Sequence, residues 1–506
     1  MSTRRTDTPG LPRLPSADAP AESSGTALAT NVRRGALWAA GGTMIMRVSN
    51  VLVMVVVARL VAPEVVGLFA IAVTVHAFVV SIAELGIASA VARADLDADR
   101  IAPTVATIAI ATSVGLGILM ASFADVIAAA LGAAAASDAV RILAISVAMI
   151  GPFAVPGALL QRQFRQDLVF RATAVSFVVG SAVLIGLSVA GWGPEGFAWS
   201  RVVGHLVAGI MLLIPASARY WPGFDRGFVG PLLAFGLPLA AANLLSQLVA
   251  NIDYVFIGRM LGVVDLGLYT LAFGVSMWAT AIIGAMLNGL VLPAISAVRR
   301  DDGDVPAAIV NATQLVAWVA FPLAACLFVF AEPLIVTLYG DQWREAAEVL
   351  RVLACYGGIS VLGLLYANIV IAFGRTRVLL GVQLAVLAVL APVMWIGITF
   401  WDLPGVAAAH IIVAALVTLP VYLTVLRHVS GVRLTAMLRA LMLPSAAAIA
   451  AGLLAWAVTV TVQPEWLRLI IGLVVGAASY AFATRKILLR QLPTRWRRIS
   501  LRRRRQ

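Results

Sequence analysis

The chain has 506 residues, 61% of them hydrophobic and only 12% charged, with a mean hydropathy of +0.98. A water-soluble fold of that length has too little polar surface to cover so much apolar side chain, which excludes a soluble enzyme and makes lipid the solvent. A net charge of +13 raises nucleic acid as a partner, and the placement of that charge then weakens the idea.

Residues 1–30 are polar and rich in Ser, Thr, Pro and Ala, which predicts a disordered cytoplasmic tail. The apolar run that follows is too long for a cleavable signal peptide. From residue 35 onward the hydropathy predicts 14 spans, near 35–60, 67–92, 102–132, 140–161, 168–191, 196–218, 228–257, 264–297, 307–330, 347–373, 378–400, 403–426, 436–461 and 465–484. Each is long enough to cross a ~30 Å hydrocarbon core as a helix, which takes about 20 apolar residues. The third and eighth are long enough to contain an interfacial turn. Cys326 and Cys355 fall in apolar runs and are expected to be buried as small apolar residues, with no disulfide or metal role.

The basic residues orient the spans. With a cytoplasmic N-terminus, 29 of the 37 Lys and Arg fall on cytoplasmic loops and tails and seven on the other side, leaving Arg47 in the interior. Arg162/Arg165/Arg171, Arg375/Arg377 and Arg427/Arg433/Arg439 mark such inner loops. The basic tail, 490–506, with Arg495, Arg497 and Arg498, then lies where anionic lipid attracts each basic residue by about 1 kcal/mol. Anionic membrane lipid, rather than nucleic acid, is its expected partner.

A repeat runs through the spans at an offset of 200. Ala58-Arg59-Leu60-Val61-Ala62 and Gly67-Leu68-Phe69-Ala70 are echoed by Gly258-Arg259-Met260-Leu261-Gly262 and Gly267-Leu268-Tyr269-Thr270. Six spans separate the copies, an even number, so both halves share one orientation, as in transporters with a central site between parallel repeats. The expected fold is an all-α integral membrane protein of about 14 transmembrane helices. It comprises an N-lobe at 31–220, a C-lobe at 221–430 and two further helices at 431–489.

Several ionisable or amide side chains sit inside the predicted spans, where each needs a partner, a cavity or a function. Arg47 and Asn50 lie in the first span and His76 and Glu84 in the second. Asn243, Gln247 and Asn251 repeat every four residues along one face of the seventh, with Gln247 opposite Arg47 in the repeat. Pro238 just before them is expected to kink that helix. Counting along the helices puts Arg47 about 18 Å, Glu84 about 25 Å and His76 about 14 Å below one helix end. Two readings stay open for Arg47: an ion pair with Glu84, or a guanidinium facing a cavity and binding an anion, for which its planar fork suits phosphate oxygens. The amide stripe reads equally as a sugar contact or as glue between helices. His76 joins either arrangement or serves a helix contact. Asp253 and Arg259 form a candidate ion pair or coupling site for a cation, Na+ or H+, with the pair favoured.

No phosphate-binding loop, dinucleotide glycine pattern, metal cluster or paired-carboxylate motif is present, and no cofactor is expected. The largest outer segment, 331–346, is too short for a catalytic fold.

The chain resembles the Wzx-type polysaccharide flippases of the multidrug/oligosaccharidyl-lipid/polysaccharide exporter superfamily over residues 31–430. The resemblance rests on Val57-Ala58-Arg59-Leu60 with Pro63 and Gly67, Glu84-Leu85-Gly86-Ile87, and Pro156-Gly157-Ala158-Leu159-Leu160-Gln161-Arg162. It continues in Asn251-Ile252-Asp253-Tyr254, Leu266-Gly267-Leu268-Tyr269, Leu292-Pro293-Ala294-Ile295-Ser296, Tyr339-Gly340-Asp341-Gln342-Trp343 and Ala372-Phe373-Gly374-Arg375. It implies two six-helix lobes that open alternately to either side of a bacterial inner membrane. The implied substrate is an undecaprenyl-pyrophosphate-linked oligosaccharide flipped outward for polymer assembly. Lipid II flippases of that superfamily carry an arginine at the place of Arg47, which implies a pyrophosphate ligand. Arg59 and Arg259 match positions at helix ends, with capping or interfacial roles. The alternatives are an ion-coupled exporter of small amphipathic compounds and a membrane-embedded glycosyl or phosphosugar transferase.

Overall fold

A computed structural model describes residues 45–84, 98–163, 165–215, 222–287, 298 and 303–491. It divides into two compact units, Met1–Leu52 and Val53–Gln506. The described part of the first is the start of α1 (Ile45–Ala58).

The second unit is built of helices: α2 (Pro63–Ala83), α3 (Ala98–Ser122), α4 (Ala124–Ala130), α5 (Ser137–Arg162), α6 (Gln166–Val189), α7 (Pro194–Leu213), α8 (Arg226–Met260), α9 (Val263–Ser276) and α10 (Trp278–Met286). They continue with α11 (Val305–Val329), α12 (Ala331–Tyr339), α13 (Ala346–Ala372), α14 (Thr376–Val413), α15 (Leu419–Ser430), α16 (Leu434–Thr459) and α17 (Glu465–Gln491). The described residues contain no strand, and 11 of their helices are long and apolar enough to cross a membrane. This is an all-α integral membrane protein. The expected 14 spans are not all separately seen among the described residues, and Thr376–Ser430 is interrupted by non-helical backbone. It holds two expected spans, turned back on each other at Trp401 and Asp402, where Asp402 takes φ 50°. Gly397 and Gly405 let the two arms touch, since a Cβ on Gly405 would lie 2.0 Å from the Gly397 carbonyl oxygen. The tail 1–30 and residues 492–506 of the basic tail lie outside the described residues.

Local chemistry starts the helices where the sequence allows. Pro63 and Pro194 stand in the first turns of α2 and α7, where a missing N–H leaves no bond unmade. Asp225 and Asp304 cap α8 and α11, accepting from Gly227 N and Ala307 N at 2.9 Å each. α8 is helical on both sides of Pro238, which has no N–H to give to the preceding turn. Ile118, Val178, Trp395, Phe400, Leu453 and Val474 are exposed, as expected of side chains whose solvent is lipid.

The internal repeat is visible in the backbone. α3, α4, Gly132 at φ 80° and a 3-10 turn (Ala134–Ala136) precede α5. α11, α12, Gly340 at φ 103° and a 3-10 turn (Asp341–Trp343) precede α13 in the same order. The repeats meet where α2 crosses α9. A Cβ on Gly67 would stand 1.8 Å from Val263 O, and one on Gly267 1.9 Å from Pro63 O. Only glycine permits that approach, and small residues are how membrane helices come close.

Hydrogen bonds next to this crossing are swapped between the halves. Arg59 donates to the carbonyls of Leu338 (2.8 Å) and Thr337, while Gln342 Nε2 and Trp343 Nε1 donate to Ala58 O at 2.7 Å each. In the other copy Arg259 donates to Ala130 O at 2.6 Å, and Gly132 lies against Gly258. The interfacial role expected of both arginines is met by backbone carbonyls. α16 packs on α11, and α17 on α16 and α12, which attaches the last two helices to the second half.

Candidate functional site

The first half of the repeat gathers basic groups. His76, buried on α2, lies 2.7 Å from Ser146 Oγ of α5. Ser146 gives its own proton to Leu143 O, so His76 Nε2 is the donor. His76 is thus a satisfied helix contact, and it is also more: its ring stacks on His205 of α7 at 6.1 Å. Arg201, one turn before His205 on the same face, is close enough for its charge to bear on both imidazoles. Arg201 and His205 are exposed. Among the described residues neither Arg201 nor His205 has a carboxylate within ion-pairing distance. The guanidinium of Arg201 thus carries a charge that no described carboxylate neutralises, and a group of that kind can hold an anion.

The second half places a balanced cluster around His410, the residue that answers to Arg201 in the repeat. Asp253 of α8, with a side chain 1% exposed, accepts from the Tyr269 hydroxyl of α9 at 2.8 Å and from Tyr254 N at 3.0 Å. His410 of α14 lies 3.1 Å from that hydroxyl and 3.4 Å from the carboxylate. The rings of Tyr356 (α13) and Phe273 (α9) flank His410 at 4.9 and 5.9 Å. Asp253 and Arg259, the expected ion pair, therefore take different partners: Tyr269 and His410 for one, Ala130 O for the other. The reason is helical geometry. Residues six apart point to different sides of a helix, whereas those three or four apart share one.

The other sequence candidates are less gathered. Arg47 and Asn50 are exposed on α1. Glu84 is exposed at the C-terminal end of α2, its N–H bonded to Val80 O at 2.9 Å, so it ends the described helix rather than standing within it. Asn243, Gln247 and Asn251 are half-buried on α8. Asn251 Nδ2 donates to Gln247 O (2.9 Å) and Oε1 (3.3 Å), so this bonding runs along the helix. The cross-helix bond at this level comes instead from Gln383 of α14 to Ser246, at 3.1 Å. Of the cysteines, Cys326 is half-buried and Cys355 exposed, against the expected burial.

Sequence reasoning missed Arg201, His205, Tyr269, Tyr356 and His410. One signal was available. Aligning Gly196-Phe197-Ala198 with Gly405-Val406-Ala407 sets Arg201 on His410, a basic side chain at the same place in the last helix of each half.

A family model described as a polysaccharide biosynthesis protein matches residues 56–348. The teichuronic acid biosynthesis protein TuaB of Bacillus subtilis is 25% identical over 415 residues, 79% of this chain and 84% of its own length. The lipopolysaccharide biosynthesis protein WzxC of Escherichia coli is 23% identical over 411 residues, 78% of this chain and 81% of its own. Among solved structures, the lipid II flippase MurJ in an inward closed conformation shares the fold with a TM-score of 0.71 at 15% identity, over 88% of this chain and 98% of that one. An inward-facing multidrug transporter of the MATE family follows at 0.57 and 18% identity, over 76% and 98%.

Proposed function

The chain belongs to this polysaccharide biosynthesis family, and on that premise we propose that it is an alternating-access flippase. It moves an undecaprenyl-pyrophosphate-linked oligosaccharide from the cytoplasmic to the periplasmic leaflet of a bacterial inner membrane for polysaccharide assembly. One observation carries the reading: family membership joined to a duplicated helical fold whose longest described connection, between α11 and α13, is filled by α12 and a 3-10 turn. That leaves no room there for the catalytic loop a transferase needs.

In this reading both termini are cytoplasmic and the Arg-rich tail rests on anionic lipid. The lobes are 31–220 and 221–430, and the swapped bonds at Arg59 and Arg259 close their periplasmic ends. Arg47 binds the pyrophosphate, Asn50, Asn243, Gln247 and Asn251 meet sugar hydroxyls, and Arg201 with His205 and His76 is by itself a second anion-binding group. A cation moving through the second half supplies the energy.

The test is polymer export in a strain lacking its own flippase. Arg47→Ala and Arg47→Lys abolish export while the protein still inserts, because neither offers the bidentate fork. Full export by Arg47→Gln removes the pyrophosphate role. Rescue by the Arg47→Glu/Glu84→Arg double exchange, where each single exchange fails, assigns the two residues to a structural pair instead.

A further inference from the structure

Phe197, Arg201 and His205 repeat every four residues on α7, so they share one face of that helix. Contacts at either end of this row fix where the face turns. Phe197 packs on Phe69 of α2 with ring centres 5.0 Å apart, and His205 stacks on His76 of the same helix at 6.1 Å. The neighbouring face, with Ser200 and Gly204, lies against α6, where a Cβ on Gly180 would stand 3.3 Å from Ser200 O. Arg201 therefore stands on the side that faces α2, between two ring contacts, and it is nonetheless exposed. A guanidinium without a carboxylate is strongly disfavoured against hydrocarbon, so this exposed surface belongs to a polar opening beside the α2–α7 seam.

The acids that start the same helices are engaged elsewhere. Glu195 is six positions before Arg201, on another side of α7, and its Oε2 lies by Gly193, where an added Cβ would meet it at 3.2 Å. Asp125 and Asp138 both bind Arg141. Glu64 stands in the first turn of α2, about 18 Å of helix before His76. Among the described residues burial alone, and no acid, acts on the Arg201 guanidinium. The second half shows what is missing. There His410 meets Asp253, and at the place of Asp253 the first half has Val53. The acid built into one half is absent from the other, and a ligand can bring it.

The donor set fits a singly charged planar acid. Arg201 offers one permanent positive charge and a planar fork of N–H groups that meets two oxygens at once. One guanidinium balances one carboxylate, whereas a pyrophosphate carries more than one negative charge and leaves the excess unpaired. His205, one turn further along α7, adds a ring nitrogen beside that fork. His76, anchored on Ser146 at 2.7 Å and stacked on His205, holds that imidazole in place.

We propose that Arg201, with His205 and His76 beside it, binds a carboxylate on the saccharide and so selects cargo that contains an acidic sugar, a uronic acid or a sugar with a carboxylate substituent. This group reads the saccharide and not its pyrophosphate link. The cargo rests on the transport reading above; the carboxylate site itself does not.

The experiment titrates the full chain in detergent with two lipid-linked probes and reads affinity from the rise in melting temperature. One probe is undecaprenyl-pyrophosphate-linked glucuronosyl-glucose, and the other is its carboxyl-reduced form, which ends in glucose. Wild type binds the acidic probe about ten-fold or more tightly than the neutral one. Arg201→Gln brings that ratio down to about one, and Arg201→Lys, with the charge but not the fork, leaves it in between. Arg47→Gln weakens both probes and keeps the ratio. Should Arg201→Gln fail to insert, Arg201→Met serves in its place, since it keeps much of the side chain's length. Methyl glucuronoside and methyl glucoside at millimolar concentration repeat the comparison without lipid or pyrophosphate. Equal binding of the acidic and neutral probes by wild type overturns the proposal. So does a loss in Arg201→Gln that falls equally on both, which assigns Arg201 to the pyrophosphate. If neither lipid-linked probe binds and methyl glucuronoside still binds wild type more tightly than methyl glucoside, but not Arg201→Gln, the transport reading falls and the carboxylate site stands. If the lipid-linked probes bind alike, the carboxylate site falls alone. If none of the four probes binds, both fall.

Discussion

The two halves of the repeat share a backbone plan and differ in what surrounds the basic residue of their last helix, Arg201 in one and His410 in the other. In the first half Arg201, His205 and His76 stand together without an acid among the described residues. In the second, His410 takes the place of Arg201 and meets Asp253 and Tyr269, where the first half has Val53 and Phe69. Phe69 packs on Phe197 at 5.0 Å, an apolar contact where the second half makes a polar one. Duplication thus conserved the scaffold and let the chemistry diverge. One copy keeps a guanidinium with no carboxylate in ion-pairing distance among the described residues, and the other sets its basic side chain beside a buried carboxylate.

Substitutions can break or sharpen this contrast. The largest effect falls on the shared scaffold. Gly67→Val and Gly267→Val force side chains onto carbonyls that leave less than 2 Å for a Cβ, and overpacking of that kind costs about 1–3 kcal/mol or more. Both variants are expected to lose folded protein to a similar extent, read by thermal melting of the detergent-solubilised chain. A large difference between them would mean that the two halves do not share the seam equally.

Next come the two clusters themselves, which should respond in different ways. Asp253→Ala strands a buried phenol and a buried imidazole, at about 1–3 kcal/mol for each group left without its partner. Its melting temperature falls clearly. Arg201→Ala leaves no buried partner behind, so melting stays near wild type while polymer export drops, and Arg201→Glu drops it further than Arg201→Gln. Equal melting of Asp253→Ala and Arg201→Ala would erase the contrast.

A smaller effect is expected from Tyr269→Phe, which gives the second half the aromatic side chain that the first half has at Phe69. Loss of one hydrogen bond to a charged group is worth about 1.5–3 kcal/mol, offset in part because the ring still packs. The smallest belongs to Arg344, whose bonds to Asp341 and Glu332 lie on the surface. Arg344→Ala should leave melting at physiological salt unchanged, as solvent and ions screen such pairs.

Much of the scaffold was legible in the sequence because the physics that fixes it is local or periodic. The in-register match of Arg59 with Arg259 and Gly67 with Gly267 announced the repeat, and the crossing of α2 and α9 explains why the register was kept. The long third and eighth spans were rightly suspected of turns: α3 breaks at Phe123 and α9 at Met277. The site was less legible. His410 sits in Ala407-Ala408-Ala409-His410-Ile411-Ile412, a run with no period to mark a face, and its partners come from distant helices. Arg201 counted as one more basic residue on the outer side, although it lies seven residues inside α7 from Pro194. Asp253 was assigned to a neighbour in sequence when helical geometry pointed it to a neighbour in space.

The swapped bonds near the Gly67–Gly267 crossing also bear on how the chain is made. The carbonyl of Ala58 waits for Gln342, 284 positions later, and Trp343, 285 positions later. At about 5–20 residues per second of synthesis, that interval lasts roughly 15 to 60 s. During it the first helices sit in the bilayer with the end of α1 unfinished, open to a chaperone or an insertase. A ribosome that stalls before residue 343 would release a chain whose first half is threaded but not fastened.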